Sequence, residues 1–111
     1  MLIEQTIRNY LIGKIPNVPI EVEVPKSGDK FVVLRVIDRG RINYIDAVTV
    51  EFMSYGKSKL EAAELDELVR TAMFDIVELG SIFSSKIGGG NDNYDEELKK
   101  YRYRAYFNLT Y

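Results

Sequence analysis

The sequence predicts an α+β fold, a mixed or mainly antiparallel sheet packed by one long central helix and a short N-terminal helix. Three observations carry this. Residues 31–37 are apolar on both faces except at Arg35, and a charged turn, Asp38-Arg39-Gly40-Arg41, leads into a second alternating segment that ends at Tyr55-Gly56. A capped amphipathic pattern then starts at Ser58, and the final residues alternate again up to Tyr111.

Each element has its own signature. Ile3, Ile7, Tyr10 and Leu11 recur at helical spacing, with Gly13 placed to cap the helix and Pro16 to stop it. Val18, Ile20, Val22 and Val24 alternate with Pro19, Glu21 and Glu23, a half-buried strand. Pro19 cannot donate a ladder hydrogen bond, so this strand belongs at an edge. Residues 25–29 read as a turn. The doubly apolar strand from Phe31 is central, and residues 38–43 connect it to the next. There Val48, Val50 and Phe52 face one way, and Ala47, Thr49, Glu51 and Met53 the other.

Ser58-Lys59-Leu60-Glu61 matches a capping box. The apolar stripe behind it is Leu65, Leu68, Val69, Ala72, Ile76 and Leu79, with Gly80 as the cap and Glu61, Glu64, Asp66, Glu67, Asp75 and Glu78 on an acidic outer face. Residues 81–87 are a weak strand candidate. Gly88-Gly89-Gly90-Asn91-Asp92-Asn93 reads as a mobile loop, because three glycines lose the most entropy on ordering. In the last strand Tyr101, Tyr103, Ala105, Phe107, Leu109 and Tyr111 face the core, while Lys100, Arg102, Arg104, Tyr106, Asn108 and Thr110 face outward. The strand order is left open by the sequence, and residues 1–111 read as one domain with no repeat or linker.

Composition narrows the function. The chain has no cysteine, which excludes disulfides and thiolate metal sites, and no histidine, which removes the commonest general base and neutral metal ligand. A net charge of −2 gives no global attraction for nucleic acid. No apolar run reaches the roughly eighteen residues of a membrane span, and the first residues lack a signal-peptide layout, so cytoplasmic synthesis is expected.

The motifs mostly resolve into scaffold. The glycine run lacks the Gly-Lys-Ser/Thr ending of a phosphate loop. Asp92, Asp95, Glu96 and Glu97 miss the register of a calcium loop and read as a solvated acidic segment. No serine has a recognisable nucleophile motif around it, and no metal or cofactor is expected. Arg102, Arg104 and Tyr106 share one strand face and are the candidate contacts for single-stranded nucleic acid. Pro19, Glu21 and Glu23 on the edge strand, with Asp38, Arg39 and Arg41 at the hairpin tip, are the candidate subunit contacts.

The order of segments resembles the tail terminator, or tail completion, proteins of long-tailed bacteriophages and prophages. The resemblance rests on the short first helix, Val18-Pro19-Ile20-Glu21-Val22, Phe31-Val32-Val33-Leu34-Arg35-Val36 with its Arg/Gly turn, and Asp46-Ala47-Val48-Thr49-Val50-Glu51-Phe52. It continues through Leu60-Glu61-Ala62-Ala63-Glu64-Leu65 and Tyr101-Arg102-Tyr103-Arg104-Ala105-Tyr106-Phe107. The turn departs from the family's frequent double glycine, with Gly40 alone.

The resemblance implies a non-enzymatic virion protein that forms a ring, commonly of six copies. The ring caps the tail tube, ends its polymerisation and offers a docking surface to the head. Its partners are other copies of itself, the tail tube protein and head–tail connector proteins, with no membrane involved. DNA passes through the ring without sequence recognition. Such a protein resides in the host cytoplasm during assembly and then in the virion. A head–tail connector component is the neighbouring alternative. A single-stranded nucleic-acid-binding module and a hydrolase using a serine or acid site are the alternatives from other classes.

Overall fold

The computed structural model describes residues 2–25, 28, 30–42, 44–92 and 100–111. Element order is α1 (Ile3–Lys14), β1 (Ile20–Glu21), β2 (Phe31–Ile42), β3 (Ile45–Gly56), α2 (Lys59–Phe74), a 3₁₀ turn (Ile76–Leu79), β4 (Ser84–Asp92) and β5 (Tyr101–Thr110). The five strands form one mixed sheet in the order β1-β2-β3-β5-β4. β1–β2 is parallel, and β2–β3, β3–β5 and β4–β5 are antiparallel. The fold is α+β, as the sequence predicts, and the doubly apolar β2 is an interior strand.

Both helices cover one side of the sheet. Ile7 and Leu11 of α1 and Leu65, Val69 and Met73 of α2 pack on Leu34, Val50, Phe52, Phe107 and Leu109. Phe107 is gripped by two rings, Phe52 at 6.0 Å and Phe74 at 5.4 Å, both edge-on. The helices are tied together by the Tyr10 hydroxyl, which donates to the Ala72 carbonyl at 2.9 Å, and by a Lys14–Glu78 ion pair at 2.7 Å. Of the expected capping box, the Ser58 half is formed, its Oγ accepting from the Glu61 amide at 3.1 Å, while no return bond from the Glu61 side chain is present among the described residues. The other side of the sheet carries no helix among the described residues but buries Phe31, Val33, Met53 and Tyr55, with Phe31 stacked on Tyr55 at 4.5 Å.

Several expectations need correction. The edge strand expected over residues 18–24 is a strand only at Ile20–Glu21, and Val22 and Val24 are exposed. Residues 38–41 are not a turn. They stay in β2, paired with β3 as far as Ile42↔Ile45, and Tyr44 just before β3 is in the left-handed region at φ 67°. A register irregularity between Val36 and Asp38 takes up the extra residue. Gly13 lies inside α1, which ends at Lys14. The long helix is shorter than expected: α2 stops at Phe74, and the 3₁₀ turn carries the chain on to Gly80, whose φ of 76° closes it.

The stripe on α2 is also shifted. Leu68 and Leu79 are exposed, while Ala62 and Met73 are buried. The largest correction concerns the glycine run. Gly88, Gly89 and Gly90 belong to β4, paired with β5 through Gly89↔Tyr106 and Gly90↔Ala105. A Cβ on Gly90 would lie 2.4 Å from the Arg104 carbonyl oxygen and 2.5 Å from the Arg70 guanidinium. Glycine is needed there for close approach, not for looseness. The acidic segment at Asp95, Glu96 and Glu97, Asn93, and part of the turn at 25–29 lie outside the described residues.

Candidate functional site

Three surfaces hold the residues singled out from sequence. The first is the open side of the sheet. Glu51 of β3 faces it, paired across to Arg35 of β2 and to Tyr106 of β5. Although no helix among the described residues covers it, Glu51 is only 1% exposed. Arg35 donates to one carboxylate oxygen at 2.7 Å, and Arg104 donates to the other through Nε at 3.1 Å and through Nη2. Burial alone would push this carboxyl up. Hydrogen bonds from Arg104 and Tyr106, with the charges of Arg104 and Arg35, overcome that and hold it below the usual glutamate range. Arg104 is raised in turn, first by its hydrogen bond to Glu51.

Arg102 has its own partner, donating to the Tyr55 hydroxyl at 3.2 Å with the guanidinium 5.8 Å from that ring. The expectation that Arg102 and Arg104 simply face water is therefore corrected. They do lie opposite the helices, but they form the roof of a second, partly charged layer. Tyr106 sits beside Arg104, 5.6 Å from the guanidinium carbon. Of the tyrosines assigned to the core, Tyr103 is half-buried and Tyr101 is exposed.

Nearer the hairpin tip, the same side dips into a shallow groove of about 350 Å³ lined by Asp38, Gly40, Thr49, Lys86, Asn108 and Thr110 among others. Its polar groups mostly satisfy one another: Thr49 Oγ1 donates to Asn108 Oδ1 at 2.7 Å, and Ser84 and Thr110 share a hydroxyl hydrogen bond at 2.6 Å.

The second surface is the hairpin arm. Arg39 pairs with Glu4 of α1 at 2.8 Å, and Arg41 pairs with Asp46 across the hairpin at 3.0 Å. Both are exposed ion pairs, worth about 0.2–1 kcal/mol each, so a neighbouring molecule would recruit these arginines at little cost. Tyr44 projects from the tip, 96% exposed.

The third comprises the sheet edges. Pro19 accepts the Val32 amide at 2.9 Å, so the Ile20 carbonyl points outward, where Arg8 takes it at 2.7 Å. Glu21 and Glu23 follow, and neither has an ion pair among the described residues. The structure keeps these candidate groups apart: β1 and β4 end the sheet on opposite sides, with β2, β3 and β5 between them.

Sequence reasoning missed one further polar feature. Asp66, expected on the acidic outer face of α2, is 5% exposed. Arg70 one turn later donates to its Oδ2 at 2.7 Å, while Oδ1 has no hydrogen-bond partner among the described residues. Burial pushes this carboxyl up against the pull of Arg70. The Asp66–Arg70 spacing of four residues was the available signal. Among the described residues, no group of three acidic side chains is placed to hold a metal ion, and no helix is long and apolar enough to cross a membrane.

No protein family model matches the chain, and no curated protein matches it.

Proposed function

We propose that this protein is a non-enzymatic virion component, a tail terminator that assembles into a ring at the end of a phage tail tube. The observation that carries the reading is architectural. Both helices lie on one side of a sheet whose two end strands, β1 and β4, have no outer partner among the described residues. Such a subunit offers two different edges, and a contact between unlike edges closes into a ring when its rotation closes.

The long hairpin fits the same role. Its two strands are twelve residues each, giving an arm able to reach a neighbour or the tube. The segment order resembles tail terminators, and the conserved logic of that family, ring then cap then head docking, supplies the rest of the reading. The protein would work in the host cytoplasm and then at the tail–head junction, with DNA passing through the ring. The acidic outer face of α2, with Glu64 and Glu67, followed by Asp75 just beyond its end, would repel DNA if it lined the opening.

Electron microscopy of concentrated protein, with and without Mg²⁺, tests the ring. Closed rings wide enough for duplex DNA support it, and capping of purified tail tubes then separates a terminator from a head–tail connector. The single-stranded nucleic-acid reading is the weaker one, because Arg104 is committed to Glu51 and Arg102 to Tyr55. Salt-dependent oligonucleotide binding lost on replacing both arginines would revive it.

A further inference from the structure

We propose that copies of this chain join head to tail by sheet extension, the outer edge of β4 in one copy pairing antiparallel with residues 20–24 of the next. The proposal rests on the ring reading above and assigns its interface. It begins from a mismatch between sequence and structure. Residues 18–24 carry a strand pattern seven residues long, yet only Ile20–Glu21 pair with β2. Val22 and Val24 are left 51% and 42% exposed, on a segment whose alternation suits a pleated ladder. Arg8 occupies the Ile20 carbonyl, and residues 22–24 make no ladder with β2.

The opposite end of the sheet supplies a matching edge. Along β4 the two sides are chemically distinct. Ser85 donates its hydroxyl to the Met73 carbonyl of α2 at 2.7 Å, so Ser85 and, by alternation, Phe83 and Ile87 lie on the helix side. Phe83 is 66% exposed there. Lys86, opposite Asn108, lies on the open side and has no ion pair among the described residues.

The segment at 20–24 has the same polarity. Ile20 pairs with Val32 on the helix side, which puts Val22 and Val24 there when the strand is extended, whereas Glu21 pairs with Val33 and shares the open side with Glu23. Joining the two edges places valines against Ile87 and Phe83, and glutamates against Lys86. The direction also agrees. One parallel and three antiparallel pairings make β4 run opposite to β1, so a neighbour kept in the same orientation meets β4 antiparallel. The competing two-fold contact, β4 on β4, would bring Lys86 close to another Lys86, a like-charge juxtaposition. It would also leave residues 22–24 without a strand partner.

The natural absence of cysteine makes a direct test clean. Glu21→Cys or Glu23→Cys protein is mixed with Ser84→Cys or Lys86→Cys protein in all four combinations, under mild oxidation. A mixed disulfide in at least one combination, with no comparable product from any variant alone, is the expected result. Phe83→Asp should weaken association by about tenfold or more without unfolding the chain, since the side chain is exposed. Lys86→Glu should weaken it by at most about fivefold, with recovery on mixing with Glu23→Lys protein.

Rings that form with no mixed disulfide in any combination overturn the edge pairing and leave the ring reading standing. A Lys86→Cys homodimer as the main product overturns it in favour of the two-fold contact. Mixed disulfides in a protein that never caps a tail tube uphold the edge pairing and remove the tail-terminator reading. A protein that stays monomeric at millimolar concentration overturns the pairing, and tube capping then judges the terminator reading separately.

Discussion

Glu51 and Asp66 are both buried carboxylates, at 1% and 5% exposure, yet they stand in opposite electrostatic situations. Glu51 lies on the side of the sheet opposite both helices and is held ionised by donors from Arg35, Arg104 and Tyr106. Asp66 belongs to α2 and is turned inward, with Arg70 on one oxygen and, among the described residues, no hydrogen-bond partner on the other. The difference is one of access. On the open side, arginines from the two strands flanking β3 reach across the sheet and keep part of each guanidinium in water, so several donors converge at low desolvation cost. Beneath a helix, neighbouring space is filled by apolar side chains, and only a residue one turn away reaches the carboxylate.

The strongest way to break the comparison is to remove Glu51. Glu51→Ala leaves two arginines facing each other and should cost about 2–3 kcal/mol, read by urea denaturation. Its folded pKa is depressed, so its contribution is fully present above the ordinary glutamate value, about 4.3, and is lost as pH falls through the lower folded value. The destabilisation by Glu51→Gln should accordingly fade as the wild type is titrated into that acid range.

Gly90→Ala acts on the other site. The new Cβ would strike the Arg104 carbonyl and push Arg70 from its place beside Asp66, at a cost of about 2 kcal/mol. A neutral result would mean that β4 lies farther from β5 than described.

Asp66→Asn should have the opposite sign to Glu51→Gln. The folded pKa of Asp66 is raised, so its penalty is absent below the ordinary aspartate value of about 3.9, grows as pH rises through the raised value, and persists above it. A gain of about 0.5–1 kcal/mol at pH 7 that vanishes near pH 3 is expected, because the amide still accepts from Arg70. A loss at pH 7 would show that the Asp66–Arg70 pair is net stabilising and close the gap between the two sites. Arg41→Ala marks the small end of the scale. Its exposed pair with Asp46 should contribute no more than about 0.5 kcal/mol, and 1 M salt should erase most of that.

Local patterns were legible where a single element explains itself. The stripe of Ile3, Ile7, Tyr10 and Leu11 is buried as expected, the Ser58 cap is formed, and the side-chain parity of β3 and of most of β5 is right. What was hidden depends on neighbours. Gly88, Gly89 and Gly90 have no local preference for a strand; pairing with β5 imposes it, and the nearness of the Arg104 carbonyl makes glycine necessary. Asp38, Arg39 and Arg41 look like a turn because they are charged, but antiparallel pairing carries both strands past them. Glu51, Arg104 and Tyr106 all stood at outward positions, and only the order β2-β3-β5 shows that Arg35 and Arg104 flank one carboxylate. The candidate contacts at Pro19, Glu21 and Glu23 were legible as an edge, but how little of that edge is paired was not.

The β2–β3 hairpin also has a kinetic meaning. Its twelve-residue strands are separated by two residues in sequence, so its pairing propagates from contacts near in sequence. The β3–β5 ladder instead joins Gly56 to Tyr101 across everything between them, and must close that long loop before it is rewarded. The hairpin is therefore the expected folding nucleus, with α2 and β5 condensing onto it afterwards. Substitutions within the Val36↔Val50 pair should slow folding, while those within Ile87↔Phe107 should mainly speed unfolding.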